Sequence, residues 1–96
     1  MMRRGNPRSI PVAVRIYWND LELGTNDIRN LFGCSARVAR GYKEAARELQ
    51  EERGVKSWHP DRVETRTAYE AWGLDINDLE RRLGRMKKFG FLEEGE

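Results

Sequence analysis

The stretch that decides the fold is TNDIRNLFGCSARVARGYKEAA, which runs from Thr25 to Ala46. It contains two segments whose apolar residues recur every three or four positions, the spacing of an amphipathic helix. The first segment predicts a helix over about 26–33, and the second predicts a helix over about 35–53. Three residues, Gly33, Cys34 and Ser35, lie between them, so a tight turn joins the two predicted helices.

The second predicted helix has the clearest pattern in the chain. Ser35 is a residue type that caps a helix N-terminus, and Gly54 is a residue type that ends a helix. The apolar stripe of this helix consists of Val38, Ala39, Tyr42, Ala45, Ala46 and Leu49. If the stripe faces the core, the opposite face presents Ala36, Arg37, Arg40, Gly41, Lys43, Glu44 and Arg47.

The remaining elements are shorter. The run from Ile10 to Trp18 is rich in β-branched and aromatic residues, which favours a short N-terminal strand. Further helical patterns occupy about 65–72 and 75–88, and the His59-Pro60 dipeptide indicates a turn. We therefore expect a mainly α fold of about four helices with a short N-terminal strand. A small hairpin or an extended loop is expected over residues 55–64.

The length and composition allow a single domain. The chain has 96 residues, of which 39% are hydrophobic and 35% are charged, well above the usual charged fraction of about 25%. Residues 1–9 are rich in Gly, Pro and Arg and predict a flexible basic arm. Residues 10–92 are expected to form the domain, and residues 93–96 an acidic tail.

Charge is distributed unevenly along the chain. The formal net charge is +2, but residues 1–50 carry nine Lys and Arg against five Asp and Glu, whereas residues 51–96 carry nine against eleven. The basic first half is compatible with an anionic partner such as double-stranded DNA.

Two helices joined by a short turn containing Gly are the structure of a helix-turn-helix. In that motif the N-terminal residues of the second helix contact base edges. Arg fits the two acceptors of guanine, and Lys fits phosphate as a point charge. A mid-helix Gly costs about 1 kcal/mol relative to Ala, which close approach of DNA or another helix would offset. Base contact or close approach is therefore predicted for Ala36, Arg37, Arg40 and Gly41. Phosphate contact is predicted for Ser35, Lys43, Arg47, Arg3, Arg4 and Arg8.

The same stretch resembles the helix-turn-helix of small phage and mobile-element regulators, including excisionase-like and winged MerR-like domains. The matching positions are Thr25, Ile28, Leu31, Phe32, Gly33, Cys34, Ser35, Val38, Ala39 and Tyr42. The resemblance implies a DNA-binding transcriptional regulator or an excisionase-like factor. It also implies a wing after the second helix, where WHPDRV (58–63) stands.

A second interpretation stays open beside DNA binding. A helical hairpin with a Gly corner is common, and exposed Arg and Lys are usual on solvated helix faces. The chain is then a small protein-interaction or assembly module of phage type. A homodimer or another protein partner is expected to dock on the second and last helices.

Other site classes find little support in the pattern. His59 and Cys34 are the only residues of their types, and neither has companions at metal-ligand or catalytic spacing. No enzyme, metal or cofactor is therefore expected. No apolar run approaches the ~18 residues of a membrane span, so no membrane partner and a cytoplasmic location are predicted.

Overall fold

A computed structural model of the protein describes residues 3–90. Within that range the chain forms five helices and two short strands. In chain order they are α1 (Ile10–Asn19), β1 (Glu22–Leu23), α2 (Thr25–Phe32), α3 (Ala36–Arg53), β2 (Val63–Glu64), α4 (Thr65–Ala71) and α5 (Ile76–Lys88). The predicted mainly α class is confirmed. The acidic tail predicted for 93–96 lies outside the described residues.

The predicted N-terminal strand is wrong, because Ile10–Asn19 form helix α1. The hydroxyl of Ser9 accepts a hydrogen bond from Val12 N–H at 3.4 Å and caps this helix. Pro11 lies in the first turn, where its missing N–H costs nothing. The helix buries Ala13 and Ile16 on one face, so tertiary packing overrides the β propensity of the run. The described residues thus contain five helices, where about four were expected.

The expected small antiparallel pair of strands is present, but only one of its two strands, β2, lies within residues 55–64. Glu22 of β1 lies opposite Glu64 of β2, and Leu23 lies opposite Val63. The partner of β2 therefore precedes α2, and within residues 55–64 only Val63–Glu64 are in a strand. A wing contained in 55–64 does not form.

The core lies where α3 and α4 meet α1 and α2. Its largest fully buried side chains are Trp72 and Tyr69, and both place their polar atoms on backbone carbonyls. The Tyr69 hydroxyl donates to the carbonyl of Ala13 at 2.6 Å, and the Trp72 indole N–H donates to the carbonyl of Tyr42 at 2.7 Å. The polar groups of both buried aromatic side chains are thereby hydrogen-bonded, which avoids the cost of a buried polar group without a partner.

The corner between α2 and α3 forms as predicted. Gly33 ends α2 in the left-handed conformation, with φ 65°, and the Ser35 hydroxyl accepts from Val38 N–H at 3.3 Å to cap α3. Phe32 stacks on Tyr42 across the corner, with ring centroids 4.1 Å apart. Val38, expected in the apolar stripe, is instead 37% exposed.

Residues 3–9, predicted as a flexible arm, lie against the domain. The amide of Arg3 donates to the carbonyl of Ala71 at 2.8 Å, and the amide of Gly5 to that of Trp72 at 3.2 Å. Further along, the amide of Arg8 donates to the carbonyl of Leu31 at 2.7 Å. We call residues 3–9 the strap, because these three bonds tie it across α4 and α2.

Candidate nucleic-acid interface

The first two turns of α3 present a basic surface. Arg37 and Arg40 are both exposed, and neither forms an ion pair with another residue of 3–90. Ser35 is exposed beside them but uses its hydroxyl as the helix cap, while Ala36 is half-buried. The positive end of the α3 dipole lies at the same place and adds to the attraction for anions.

The exposed charges of α3 change sign along the helix. After Arg37 and Arg40, the outward positions carry Glu44, Glu48 and Glu51, all of them exposed. A phosphate backbone is attracted to the first two turns and repelled by the later ones. The helix can therefore offer an anionic partner only its N-terminal part, which is the part that reaches bases in a helix-turn-helix.

Lys43 and Arg47, predicted to contact phosphate, instead bind the segment that follows α3. The Lys43 ammonium donates to the Thr25 hydroxyl at 3.1 Å and to the carbonyl of Asp61 at 2.9 Å. The Arg47 guanidinium donates to the carbonyl of Pro60 at 2.8 Å. Both side chains hold residues 55–62 in place, so we leave them out of the candidate interface.

The other side of this segment is held by Glu22, whose side chain is only 8% exposed. Its carboxylate accepts from Trp58 N–H and lies 2.8 Å from Nδ1 of His59. Burial acts to raise the pKa of Glu22, but these hydrogen bonds favour the carboxylate and hold the pKa below its usual value. His59 is thus a structural residue of the segment, and the indole of Trp58 remains 79% exposed beside it.

Gly41, predicted to allow close approach of DNA or a helix, is approached by the strap. A Cβ at this position would overlap Nη1 of Arg3 and lie 3.1 Å from its Cζ. The same guanidinium lies over the Tyr42 ring, 4.8 Å from its centroid. The strap therefore places the guanidinium of Arg3 on the α3 surface, in the space that a side chain at residue 41 would otherwise occupy.

The other arm arginines lie apart from one another. Arg8 packs on the corner, where a Cβ at Gly33 would be 3.0 Å from its Cδ. Arg4 packs instead on Gly73, in a groove of about 500 Å³ between the strap, the α4–α5 connection and α5. Arg82 lines that groove with Arg4, but Asp75 and Asp78 line it as well, so it has no single sign of charge.

The last turn of α2, just before the corner, carries one cation that was not predicted as a site residue. Nε of Arg29 donates to the carbonyl of Cys34 at 3.4 Å, and its position one turn before Gly33 was visible in the sequence. Arg3, Arg8, Arg29, Arg37 and Arg40 are all exposed. Arg8 and Arg29 lie at the turn, Arg37 and Arg40 stand on the first two turns of α3, and Arg3 lies over Gly41.

Two further observations bear on other site classes. Among residues 3–90, no group of three or more His, Cys, Asp or Glu side chains is placed to hold a metal ion. No helix in that part of the chain is both long and apolar enough to cross a membrane.

The chain was also compared with known proteins. Protein-family models, curated proteins and solved structures all give no match to it. The excisionase-like or MerR-like resemblance of residues 25–46 thus stays a prediction, and the case for a function depends on the geometry of the corner.

Proposed function

We propose that this protein binds double-stranded DNA through the first two turns of α3. Arg37 and Arg40 enter the major groove and contact base edges or approach them closely, as in other helix-turn-helix domains. Ala36 lies beside them, and Ser35 caps the helix whose N-terminus faces the phosphates. A regulatory or excisionase-like role on phage or mobile-element DNA is the setting that the resemblance suggests.

One observation carries the proposal. Arg37 and Arg40 are exposed and have no ion-pair partner within residues 3–90, although α3 carries Glu44 and Glu48 one and two turns later. Arg37 has no acidic residue three or four positions away on α3, and Arg40 forms no ion pair with Glu44 at i, i+4. Cations collected at the one end of the helix that also carries the positive dipole favour an anionic ligand.

The rest of the corner supports the same conclusion. Arg8 and Arg29 flank the turn, so the positive surface continues beyond α3. The buried contacts of Ile28, Leu31 and Ala39 hold α2 and α3 together. A stable corner presents its cations in a fixed arrangement, which lowers the entropic cost of binding.

The proposal is tested by fluorescence anisotropy with a labelled duplex of mixed sequence at about 50 mM salt, where phosphate contacts are strongest. Wild type is compared with Arg37→Ala/Arg40→Ala. The matched control is Arg81→Ala/Arg85→Ala, which removes two exposed arginines of α5 and changes the net charge equally. We expect the α3 variant to bind at least about tenfold more weakly and the control to stay close to wild type.

Two results would contradict the proposal. If wild type does not bind the duplex, DNA is not the ligand. If both double variants lose affinity equally, the attraction comes from net charge and α3 is not the interface. Circular dichroism on each protein confirms that the fold is unchanged, since exposed substitutions of this kind alter stability by only about 0.5 kcal/mol.

A second candidate function is a protein-interaction module. The observation that favours it is the exposure of large apolar side chains away from the corner, with Trp58 79% and Leu21 70% exposed. Trp is enriched among the residues that dominate protein interfaces. Leu83 and Met86 of α5 are half-buried, and Phe89, the residue after this helix, is 60% exposed. Docking of a second copy on these apolar side chains remains a prediction.

A further inference from the structure

The strap and α3 meet at a position where a helix would ordinarily carry a side chain. Gly41 lies in the second turn of α3, and the guanidinium of Arg3 occupies the space that its Cβ would need. The contact involves the far end of a flexible side chain, so an alanine at residue 41 would displace the guanidinium rather than the backbone of α3.

The strap holds Arg3 at this place through its backbone. The amide of Arg3 donates to the carbonyl of Ala71, and the amide of Gly5 donates to that of Trp72. Gly5 lies so close to the aromatic stack that a Cβ there would be 2.6 Å from the Tyr42 hydroxyl and 2.7 Å from Phe32 Cε1. Only glycine fits, and the residue two places earlier is thereby fixed over α3.

The guanidinium is oriented as well as positioned. Its carbon lies 4.8 Å from the centroid of the Tyr42 ring, which attracts a cation on its face. Arg37 precedes Gly41 by four residues, so the two positions are neighbours on one helix face, about 5–6 Å apart at Cβ. Arg3 and Arg37 are both exposed, so their donors remain open to a ligand from solvent.

We infer that the Arg3 guanidinium, held over Gly41, binds one phosphate of the DNA backbone beside the bases that Arg37 and Arg40 contact. This inference rests on the proposed function and extends it to the strap. A guanidinium binds phosphate through charge-assisted hydrogen bonds that are often bidentate. The chain segment before α1 thus becomes part of the recognition surface.

The test uses duplex DNA with wild type, Arg3→Gln, Gly41→Ala and the double variant, and one control variant. Arg3→Gln removes the charge. Gly41→Ala keeps every charge but displaces the Arg3 guanidinium from its position over residue 41. The matched control is Gly84→Ala, because a Cβ at Gly84 in α5 meets nothing within 4 Å. Affinity is measured by anisotropy over a range of salt concentrations, and thermal unfolding of each protein is followed by circular dichroism.

We expect Arg3→Gln to weaken binding about three- to tenfold and to reduce the slope of log K against log salt by about one, as for the loss of one phosphate contact. Gly41→Ala is expected to weaken binding in the same way although its helix is no less stable. The double variant should then match Arg3→Gln within about twofold, because both changes remove the same contact. Gly84→Ala should bind as wild type does.

Any of three results would overturn the inference: wild-type binding by Arg3→Gln, wild-type binding by Gly41→Ala, or losses that multiply in the double variant. Its failure is distinguishable from failure of the proposed function. If Arg37→Ala/Arg40→Ala abolishes binding while Arg3→Gln has no effect, α3 binds DNA and the strap does not. If wild type does not bind duplex DNA at all, both fail.

Discussion

The rings of Phe32 and Tyr42 stack across the corner with centroids 4.1 Å apart and planes inclined by 12°. Trp72 lies edge-on to both rings, at 5.3 Å from Phe32 and 6.0 Å from Tyr42. These three aromatic residues fix the direction in which α3 leaves the turn. The positions of Arg37 and Arg40 therefore depend on this aromatic cluster.

Phe32→Ala should destabilise the protein by about 2–4 kcal/mol, because it removes one ring of the cluster and leaves a cavity at the corner. The measurement is the free energy of unfolding from urea titration. Val38→Ala is the control, since Val38 is 37% exposed and should cost much less. Equal losses for the two variants would mean that the stack does not hold the corner.

Lys43→Ala and Arg47→Ala should loosen residues 55–62 without changing DNA binding. Each side chain donates to a backbone carbonyl of that segment. Hydrogen exchange at Arg62, whose amide donates to the carbonyl of His59 at 3.1 Å, should become faster. The slope of log K against log salt should match wild type. A slope reduced by about one in either variant would instead place that residue on a phosphate.

Tyr69 should make stability depend on alkaline pH. Burial raises the pKa of the Tyr69 hydroxyl above its usual value near 10, and the nearby Asp20 and Tyr17 make smaller contributions in the same direction. The folded state therefore keeps a proton that the unfolded state loses, and the stabilisation present below pH 10 is lost as the pH rises above it.

The comparison is between wild type and Tyr69→Phe in urea titrations from pH 8 to 11. The variant should be about 1–3 kcal/mol less stable at pH 8, because the carbonyl of Ala13 loses its donor. The difference should shrink above pH 10. Parallel pH profiles would show that Tyr69 does not ionise on unfolding in this range.

Glu22 should act at the opposite end of the pH range. Its pKa lies below its usual value of about 4.5, so its stabilising effect is present above pH 4.5 and is lost as the pH falls through the lower folded value. Glu22→Gln should flatten the loss of stability between about pH 5 and pH 3. An unchanged acid limb in the variant would mean that the contacts with Trp58 and His59 contribute little.

The sequence predicted those parts of the fold that depend on neighbouring residues. The α3 helix begins after its Ser35 cap and ends at Gly54, with φ 69°, and Gly33 ends α2 as expected. These signals are local, because caps and left-handed glycines act within one helical turn. The corner that places Arg37 and Arg40 was predictable for the same reason.

The errors have a common physical cause in long-range packing. The run from Ile10 to Trp18 has the composition of a strand, and α1 forms because its apolar face is buried, with Tyr17 against Tyr69 at 5.0 Å between ring centroids. The Lys43 ammonium donates to the backbone carbonyl of Asp61, 18 residues away. The helical pattern of α3 therefore could not indicate that this side chain points toward the protein. Arg3 is further still from Gly41, and no local periodicity indicates that the strap crosses α3.

The most direct test of the proposed DNA interface is a chemical-shift map of the backbone amides during titration with a short duplex. We expect the largest changes at residues 35–41, with smaller ones at Arg8 and Arg29, and little change at residues 55–62 or in α5. Changes concentrated around Trp58 and Leu21, or no change at a ~1 mM excess of duplex, where even the weakest typical non-specific binding (Kd about 10⁻⁴ M) would be visible, would contradict the account and favour a protein partner.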